Sequence, residues 1–375
     1  MGRPPGKSTS LTEVVSNSLS KDFDLSAFKK SKFLDQSAKF KKQRWIPFSP
    51  ALRDALSIPG IPMGHVFVAR GGSDTGKTTL LVEAATTAQK MGILPIFIIT
   101  EMKWDFTHAK KMGFECDEVP DENGEVVDYK GFFLYVDRGS LNTIEDVSSF
   151  IADILNEQKN GKLPHDLLFL WDSVGSIPCN LSVVQGNNNP MWNAGAMATQ
   201  FGNFINQQFP LSRKEKYPYT NTLFVVNKTG VQPALTPMSQ PKMTNKGGNS
   251  MYWDATIVTT FGNITNSGTS KISVQHKGKK VEFAKRTKIA VDKIHTDYGI
   301  ATTSTVIVTP HGFMPDTPEA IKEYKKQYAH EWFNEAIAVE DLIQVEDNSE
   351  WNESSKISPI IEIDNEGVNG GVNEE

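Results

Sequence analysis

An eight-residue segment, Gly71 to Thr78, constrains the fold of this chain more than any other feature. It reads Gly-Gly-Ser-Asp-Thr-Gly-Lys-Thr and fits the pattern G-x-x-x-x-G-K-[ST]. The apolar run at 65–70 before it predicts a strand, and 77–90 after it predicts a helix. Glycines let backbone N–H groups turn inward around an anion, and a helix N-terminus adds positive potential. The segment therefore predicts a phosphate-binding loop at a strand-to-helix junction.

This loop predicts a nucleotide site that uses ATP and Mg²⁺. Lys77 is expected to reach the β- and γ-phosphates, and the Thr78 hydroxyl is expected to hold Mg²⁺. The predicted nucleotide-binding residues form one continuous run: Gly71, Gly72, Ser73, Asp74, Thr75, Gly76, Lys77, Thr78 and Thr79.

Strand and helix patterns alternate after this loop. Predicted strands lie at 93–100, 132–137, 167–171 and 221–226, and predicted helices at 106–112, 142–159 and 192–207. This order predicts an α/β fold whose mostly parallel central sheet is covered on both faces. Beyond Thr256 the short apolar runs are typical of antiparallel strands, and a final helix is predicted at 318–337.

Composition excludes several protein classes. The 375 residues are 38% hydrophobic and 22% charged, which is enough apolar material for a sizeable core. The longest apolar run, at 93–99, is far below the ~20 residues of a membrane helix. The first fifteen residues lack the apolar core of a signal peptide. The two cysteines exclude a disulfide framework and favour a reducing cytoplasm, and the seven histidines show no zinc spacing.

Charge is concentrated at the two ends of the chain. Residues 1–45 hold ten basic and four acidic residues, whereas 311–375 hold four basic and sixteen acidic residues. We therefore divide the chain into a basic, aromatic-containing N-terminal arm (1–45), a core (46–310), and a C-terminal helix with a disordered acidic tail (311–375). Such ends are either solvated or bind partners, and the pattern leaves both open.

Two carboxylates follow apolar strands at the edge where parallel sheets build their sites. Asp172 ends the run at 167–171, so it is expected to support Mg²⁺; capping a turn is the alternative. Glu101 follows the strand at 93–100 and is expected to activate the attacking water. Its alternative role is a favourable charge at the start of the next helix.

Together these segments resemble the RecA family of strand-exchange recombinases over about 46–310. The resemblance is carried by the phosphate loop, by Thr100-Glu101-Met102-Lys103-Trp104-Asp105, by Asp172-Ser173-Val174 and by Gly247-Gly248-Asn249. The divergent loops and short tail are similar to a bacteriophage, UvsX-like branch. The resemblance implies a RecA-like P-loop ATPase core with a short helical arm.

The resemblance also implies roles for individual residues. Glu101, Lys77 and Lys293 would be catalytic, with Lys293 acting on a neighbouring subunit's nucleotide, and Asp105 and His108 would lie near the adenine. Two loops, about 178–192 and 228–249, would face single-stranded DNA. The implied DNA-binding residues are Lys228, Lys242, Lys246, Gly247, Gly248 and Asn249. An ordinary flexible surface loop is the alternative for the second segment.

Three departures from the family pattern stand out. Lys228 occupies the place of a glutamine that senses the γ-phosphate, and a lysine is a point charge rather than an amide. Val291 stands where the family has a second lysine beside Lys293; Lys288 is the candidate substitute, although strand alternation points Lys288 and Lys293 to opposite faces. The first loop has no basic residue between 178 and 192.

The sequence thus predicts an ATP-dependent DNA recombinase that forms a helical filament on single-stranded DNA and pairs it with double-stranded DNA. A single-stranded-DNA-binding protein and a loading mediator are the implied partners, in the cytoplasm of a bacterium or a phage-infected cell, without membrane contact. The alternatives are a hexameric helicase or motor, and a nucleotide-gated scaffold with little turnover. Phe28 or Phe33 of the arm either docks on a neighbour or folds back, and the tail either competes with DNA or solubilises the chain.

Overall fold

A mixed β-sheet forms the centre of the fold in the computed structural model. The structure describes residues 24–31, 39–232, 242–245, 248–264, 270–296, 302–333 and 342–344. The chain divides into a small unit, residues 1–42 with Lys214–Lys216, and a large unit that contains the rest. In the small unit, helix α1 (Leu25–Ser31) begins after Asp24, whose carboxylate accepts the N–H of Ser26 at 2.8 Å.

The centre of the sheet consists of six parallel strands in the order β7-β4-β8-β9-β3-β11. Their bounds are β3 (Val66–Gly71), β4 (Leu94–Ile99), β7 (Leu134–Asp137), β8 (Leu167–Asp172), β9 (Asn221–Gln232) and β11 (Ile257–Asn263). Strands β3, β4 and β8 are buried at every residue. A parallel strand covered on both faces needs such a continuous apolar sequence.

Antiparallel strands extend the sheet beyond β11. They are β12 (Lys271–His276), β13 (Lys279–Ile294), β14 (Thr303–Thr309), β15 (Gly312–Pro315) and β16 (Ile343–Gln344), and β10 (Lys242–Asn245) pairs with β9. Two separate strand pairs are β1 (Trp45–Pro47) with β2 (Gly60–Pro62), and β5 (Asp117–Pro120) with β6 (Val126–Lys130).

Helices cover both faces of the sheet, as the alternating pattern predicts. The helices of the large unit are α2 (Pro50–Leu56), α3 (Lys77–Lys90), α4 (Phe106–Lys111), α5 (Ile144–Lys159), α6 (Asn180–Val184), α7 (Pro190–Asn203), α8 (Ser250–Asp254) and α9 (Pro318–Phe333), and short helical turns lie at Val174–Ser176, Phe204–Gln208 and Phe209–Leu211. Because side chains alternate along a strand, Phe67 and Ala69 join the core beneath α3. Val66 and Val68 join the second core beneath α5 and α7.

The RecA-like α/β fold class is confirmed, and the helix at 77–90 has the predicted bounds. Three features of the sheet differ from the sequence predictions or lie outside them. Strand β11 pairs in parallel with β3 and antiparallel with β13, so the antiparallel prediction beyond Thr256 holds on only one side of this strand. The segment at 228–249, predicted to be a loop, includes strand structure, because β9 continues to Gln232 and pairs with β10. The hairpin of β5 and β6 has no sequence prediction, since its strands are exposed and polar.

Several expectations concern parts of the chain outside the described residues. They are residues 1–23 of the N-terminal arm, Phe33, the last four residues of the predicted final helix (334–337) and most of the acidic tail. Phe28 lies in α1 and is 43% exposed, and its docking role stays a prediction. No helix within the described ranges is long and apolar enough to cross a bilayer.

Candidate nucleotide-binding site

The phosphate loop leaves β3 at a position that only glycine fits. Gly71 has a φ of +147°, and a Cβ there would overlap the carbonyl oxygen of Phe261 on the adjacent strand. Gly76, at φ +96°, caps the start of α3, and a Cβ there would lie 2.8 Å from Val308. The backbone therefore requires glycine at these two motif positions for steric reasons.

Lys77 points back into its own loop. Its side chain is buried, and its ammonium donates a hydrogen bond to the carbonyl oxygen of Gly72 and lies 3.4 Å from the Thr75 hydroxyl. Burial lowers the pKa of Lys77, and the nearby carboxylate of Asp172 partly opposes that effect. The loop thus holds its cation in a buried position lined by neutral oxygen atoms.

The first residues of α3 meet the end of β8, as expected from the order of strands. The Thr78 hydroxyl donates to the carboxylate of Asp172 at 2.7 Å, and Asp172 is only 7% exposed. Burial raises the pKa of Asp172, while the hydrogen bond from Thr78 lowers it. A hydroxyl and a buried carboxylate are the hard oxygen ligands that Mg²⁺ prefers, so these two residues fit that ion.

Glu101 lies beside this pair and has two strong donors. Its carboxylate accepts hydrogen bonds from the Ser173 hydroxyl and from the ammonium of Lys228, the latter at 2.7 Å. Burial raises the pKa of Glu101, but the hydrogen bonds from Lys228 and Ser173 outweigh it and leave that pKa below its ordinary value. Glu101 is therefore ionised and paired.

The contact between Lys228 and Glu101 was not anticipated by the sequence reasoning. The sequence predicted Lys228 against phosphate or DNA, because spacing along the chain does not show that the end of β4 lies beside this position within β9. The end of β8 also contributes Ser173, which follows Asp172 directly. Its position after a carboxylate at a strand end was the available signal for it.

The segment predicted near the adenine begins at α4. Asp105 is exposed and caps this helix, with its carboxylate accepting the N–H of Thr107 at 2.8 Å. His108 is half-buried, and burial lowers its pKa. It lies close enough to His311, in the turn between β14 and β15, for the two charges to interact. The adenine contact itself stays a prediction for both residues.

Lys293 lies away from the phosphate loop of its own chain. In the sheet, Lys293 pairs with Val258 of β11, and Val258 pairs with Val68 of β3. Val68 is four residues before Gly72, so the position of Lys293 is about 13 Å from Gly72 along the strand direction. Its ammonium donates to the carbonyl oxygens of Tyr252, at 3.0 Å, and Trp253, in α8. A catalytic role of Lys293 across a subunit boundary stays a prediction. It would require Lys293 to break these two hydrogen bonds and to contact the nucleotide of the neighbouring subunit instead.

The expected opposition of Lys288 and Lys293 is wrong. The register between β11 and β13 shifts by one residue between Val258 and Thr259, so that β13 carries an extra residue before Lys293. A bulge of this kind moves the following side chains to the other face. Lys288 pairs with Gly262 and Lys293 with Val258, which are four residues apart on β11 and share one face.

The predicted DNA-binding residues are only partly described. Lys246 and Gly247 lie outside the described residues, and Lys242 is placed only by its backbone in β10. Gly248 has a φ of +86°, and a Cβ there would lie 2.6 Å from Ala194 in α7, while Asn249 is exposed before α8. Their DNA contacts stay predictions, as does that of Lys228.

The first predicted DNA loop contains the short helix α6 and the start of α7. It exposes four large apolar side chains, since Leu181, Val183, Val184 and Met191 are between 48% and 81% exposed, together with uncharged polar ones such as Gln185 and Asn188. Without lysine or arginine it offers no cation to phosphate, as the sequence indicates. Contact with nucleic acid at this surface would therefore depend on uncharged groups: apolar side chains, side-chain amides and backbone N–H groups.

Comparison with known proteins agrees with the motif analysis. Residues 19–131 match the model of the RecA N-terminal domain. "Protein RecA" of Desulforapulum autotrophicum is 39% identical over 71 residues, which cover 19% of this chain and 20% of that protein. "Protein RecA" of Streptomyces coelicolor is 32% identical over 107 residues, covering 28% and 29%. "Protein RecA" of Wolbachia pipientis subsp. Culex pipiens is 26% identical over 226 residues, covering 53% and 63%.

The matched region thus spans between a fifth and just under two thirds of these relatives. The resemblance to the RecA family is confirmed by these matches. The bacteriophage branch stays a prediction.

Proposed function

We propose that this chain is an ATP-dependent recombinase that forms a helical filament on single-stranded DNA and pairs it with homologous duplex DNA. The observation that carries the proposal is the 2.7 Å contact between Thr78 and Asp172, beside the buried Lys77. Similarity to proteins named RecA supports the choice of recombination over other uses of such a site. A cytoplasmic location belongs to the same proposal.

The chain's own residues suit the cleavage of a terminal phosphate. Loop N–H groups and Lys77 bind the phosphates, and Thr78 with Asp172 holds Mg²⁺, which neutralises phosphate charge when bound. Glu101 is ionised at neutral pH and is the residue that accepts the proton of the attacking water. In the structure its carboxylate already accepts hydrogen bonds from Lys228 and Ser173.

Release of Glu101 from Lys228 is therefore a required step in this proposal. The triphosphate supplies negative charge next to Lys228, which already interacts electrostatically with Lys77. A cation from a neighbouring copy completes the site, so hydrolysis depends on assembly; Lys293 is the predicted source of that cation. Single-stranded DNA, held by the segments at 178–192 and 228–249, promotes the assembly.

The test is the rate of ATP hydrolysis with and without single-stranded DNA. We expect DNA to stimulate the wild-type protein strongly and Glu101→Gln to abolish the stimulated rate. Glu122→Gln, an exposed change in the turn between β5 and β6, is the matched control and should leave the rate unchanged. Monomeric protein that hydrolyses ATP at full rate without DNA would contradict the proposal.

One observation favours a second candidate, a nucleotide-gated DNA-binding scaffold with little turnover. Glu101, the residue that would activate water, forms an ion pair with Lys228. If that pair persists when ATP binds, the protein would hold DNA according to its nucleotide state without hydrolysing ATP. DNA binding that depends on the nucleotide, with negligible ATP turnover, would support this candidate. Electron microscopy with DNA would separate an open filament from the closed ring of a hexameric helicase or motor.

A further inference from the structure

A second lysine lies against the phosphate loop, outside the motif. Lys285 is half-buried on β13, and its ammonium donates to the carbonyl oxygen of Asp74 at 3.1 Å and to the side-chain oxygen of Asn263 at 3.0 Å. Asn263 ends β11, and its amide nitrogen would lie 3.3 Å from a Cβ at Gly72. Two neighbouring strands thus place polar groups directly on the loop.

The contact fixes the direction of one peptide group. Asp74 has a φ of +56°, in the left-handed region that favours glycine, so contacts from outside the loop help to hold this conformation. The carbonyl of Asp74 and the N–H of Thr75 belong to the same peptide unit, and in a trans peptide they point in opposite directions. A cation that holds this carbonyl therefore also turns the Thr75 N–H away from Lys285.

That N–H is available for an anion. Within the described ranges, none of the backbone N–H groups of Ser73, Asp74 and Thr75 makes a well-formed hydrogen bond to the protein; that of Thr75, a fully buried residue, only closes a loose turn onto the Gly72 carbonyl. A buried N–H without a partner is costly, and an anion held by successive N–H groups removes that cost. The loop between Gly72 and Gly76 is thus already arranged as an anion-binding cradle.

Among the described residues, the ammonium of Lys285 is bonded to neutral groups only. Its two acceptors are neutral oxygens, and no carboxylate of the described residues lies within ion-pair distance of it. By comparison, Arg286, the next residue, pairs with Asp316 at 2.9 Å. A cation on the carbonyl side of a peptide polarises that peptide and strengthens its N–H as a donor.

We propose that Lys285 is a positioning residue of the phosphate loop, which holds the Asp74 carbonyl so that the Thr75 N–H faces the bound phosphates. The proposal rests on the proposed function, because it assumes that the loop binds a nucleotide. It differs from the role of Lys77, whose ammonium lies inside the loop, since Lys285 acts through the backbone.

The experiment measures the affinities of the full-length protein for MgADP and MgATP by isothermal titration calorimetry. Lys285→Met removes the ammonium and keeps the length of the side chain, whereas Lys285→Arg keeps a charged donor. Lys280→Met, on the exposed end of the same strand, is the matched control. Urea unfolding without nucleotide verifies that each variant is folded.

We expect Lys285→Met to weaken the binding of MgADP and of MgATP by the same factor, about tenfold. This factor corresponds to the loss of one hydrogen bond to a charged group. Lys285→Arg should recover most of that affinity, and Lys280→Met should match the wild type. Equal affinities of Lys285→Met and wild type would overturn the inference. A loss confined to MgATP would also overturn it, because it indicates direct contact with the terminal phosphate.

A loss of the same size in Lys280→Met would overturn the inference as well, since it indicates a general effect of net charge. If the wild-type protein binds neither nucleotide, the proposed function itself fails, and the inference fails with it. The two failures are therefore distinguished by the wild-type measurement alone.

Discussion

The ion pair between Lys228 and Glu101 allows the sharpest quantitative prediction. Lys228→Met keeps the length of the side chain and removes its charge, which leaves Glu101 with Ser173 as its remaining strong donor. The two side chains are 30% and 15% exposed, between the exposed and the fully buried case. Exposed pairs contribute about 0–1 kcal/mol, and removing one partner of a buried pair costs about 3–5 kcal/mol. We expect a cost of about 2 kcal/mol.

A double-mutant cycle separates this pair from other effects of the substitution. The free energy of unfolding in urea is measured without nucleotide for wild type, Lys228→Met, Glu101→Gln and the double variant. At pH 7.5 the coupling energy between the two positions should be about 1–2 kcal/mol. Lys280→Met is the matched control, because it removes a lysine that is exposed on β13.

The coupling should depend on pH in a defined direction. Because the pKa of Glu101 is lowered in the folded protein, the unfolded chain takes up this proton first as the pH falls. The stabilisation is therefore fully present above the ordinary value of 4.5 and is lost as the pH falls through the lowered pKa. A coupling energy below about 0.3 kcal/mol at pH 7.5 would refute the reasoning, since it would mean that the pair is not formed in solution.

Three further predictions concern individual positions. Gly71→Ala should lower the free energy of unfolding by more than about 3 kcal/mol, because its Cβ overlaps the Phe261 carbonyl; a smaller loss in urea would show that the strands can separate. Burial lowers the pKa of His65 to about 4, so stability present above pH 6.5 should fall by up to about 3 kcal/mol as the pH decreases to 4, and His65→Gln should remove that dependence. Thr78→Val should weaken MgATP binding about tenfold by removing the hydroxyl next to Asp172, and should leave binding without Mg²⁺ unchanged in calorimetry.

Local sequence was sufficient for the elements near the phosphate loop. The helix at 77–90 and the strands around 94–99 and 167–172 agree with their predictions, because their apolar runs are continuous and their ends are marked by glycine, lysine and acidic residues. The same pattern also predicted that Asp172 would lie beside Thr78, since parallel strands end at one edge of a sheet.

Sequence was insufficient where pairing partners lie far apart in the chain. Nothing in the local pattern around 257–263 indicates that this strand is parallel to β3, because a buried strand has the same composition in either orientation. The shift that brings Lys288 and Lys293 to one face is a property of the pair of strands, and it is not visible in either strand alone. The extension of β9 likewise depends on the presence of β10.

Residue identity and spacing were enough to predict the local chemistry of the site: the glycines of the loop, Lys77, Thr78 and the two carboxylates at strand ends. Which charged side chains face one another depends on the folded sheet. Glu101 and Lys228 are 127 positions apart, and Asp74 and Lys285 are 211 apart. Such contacts arise from the order and register of strands in the sheet, and local propensity carries no information about either.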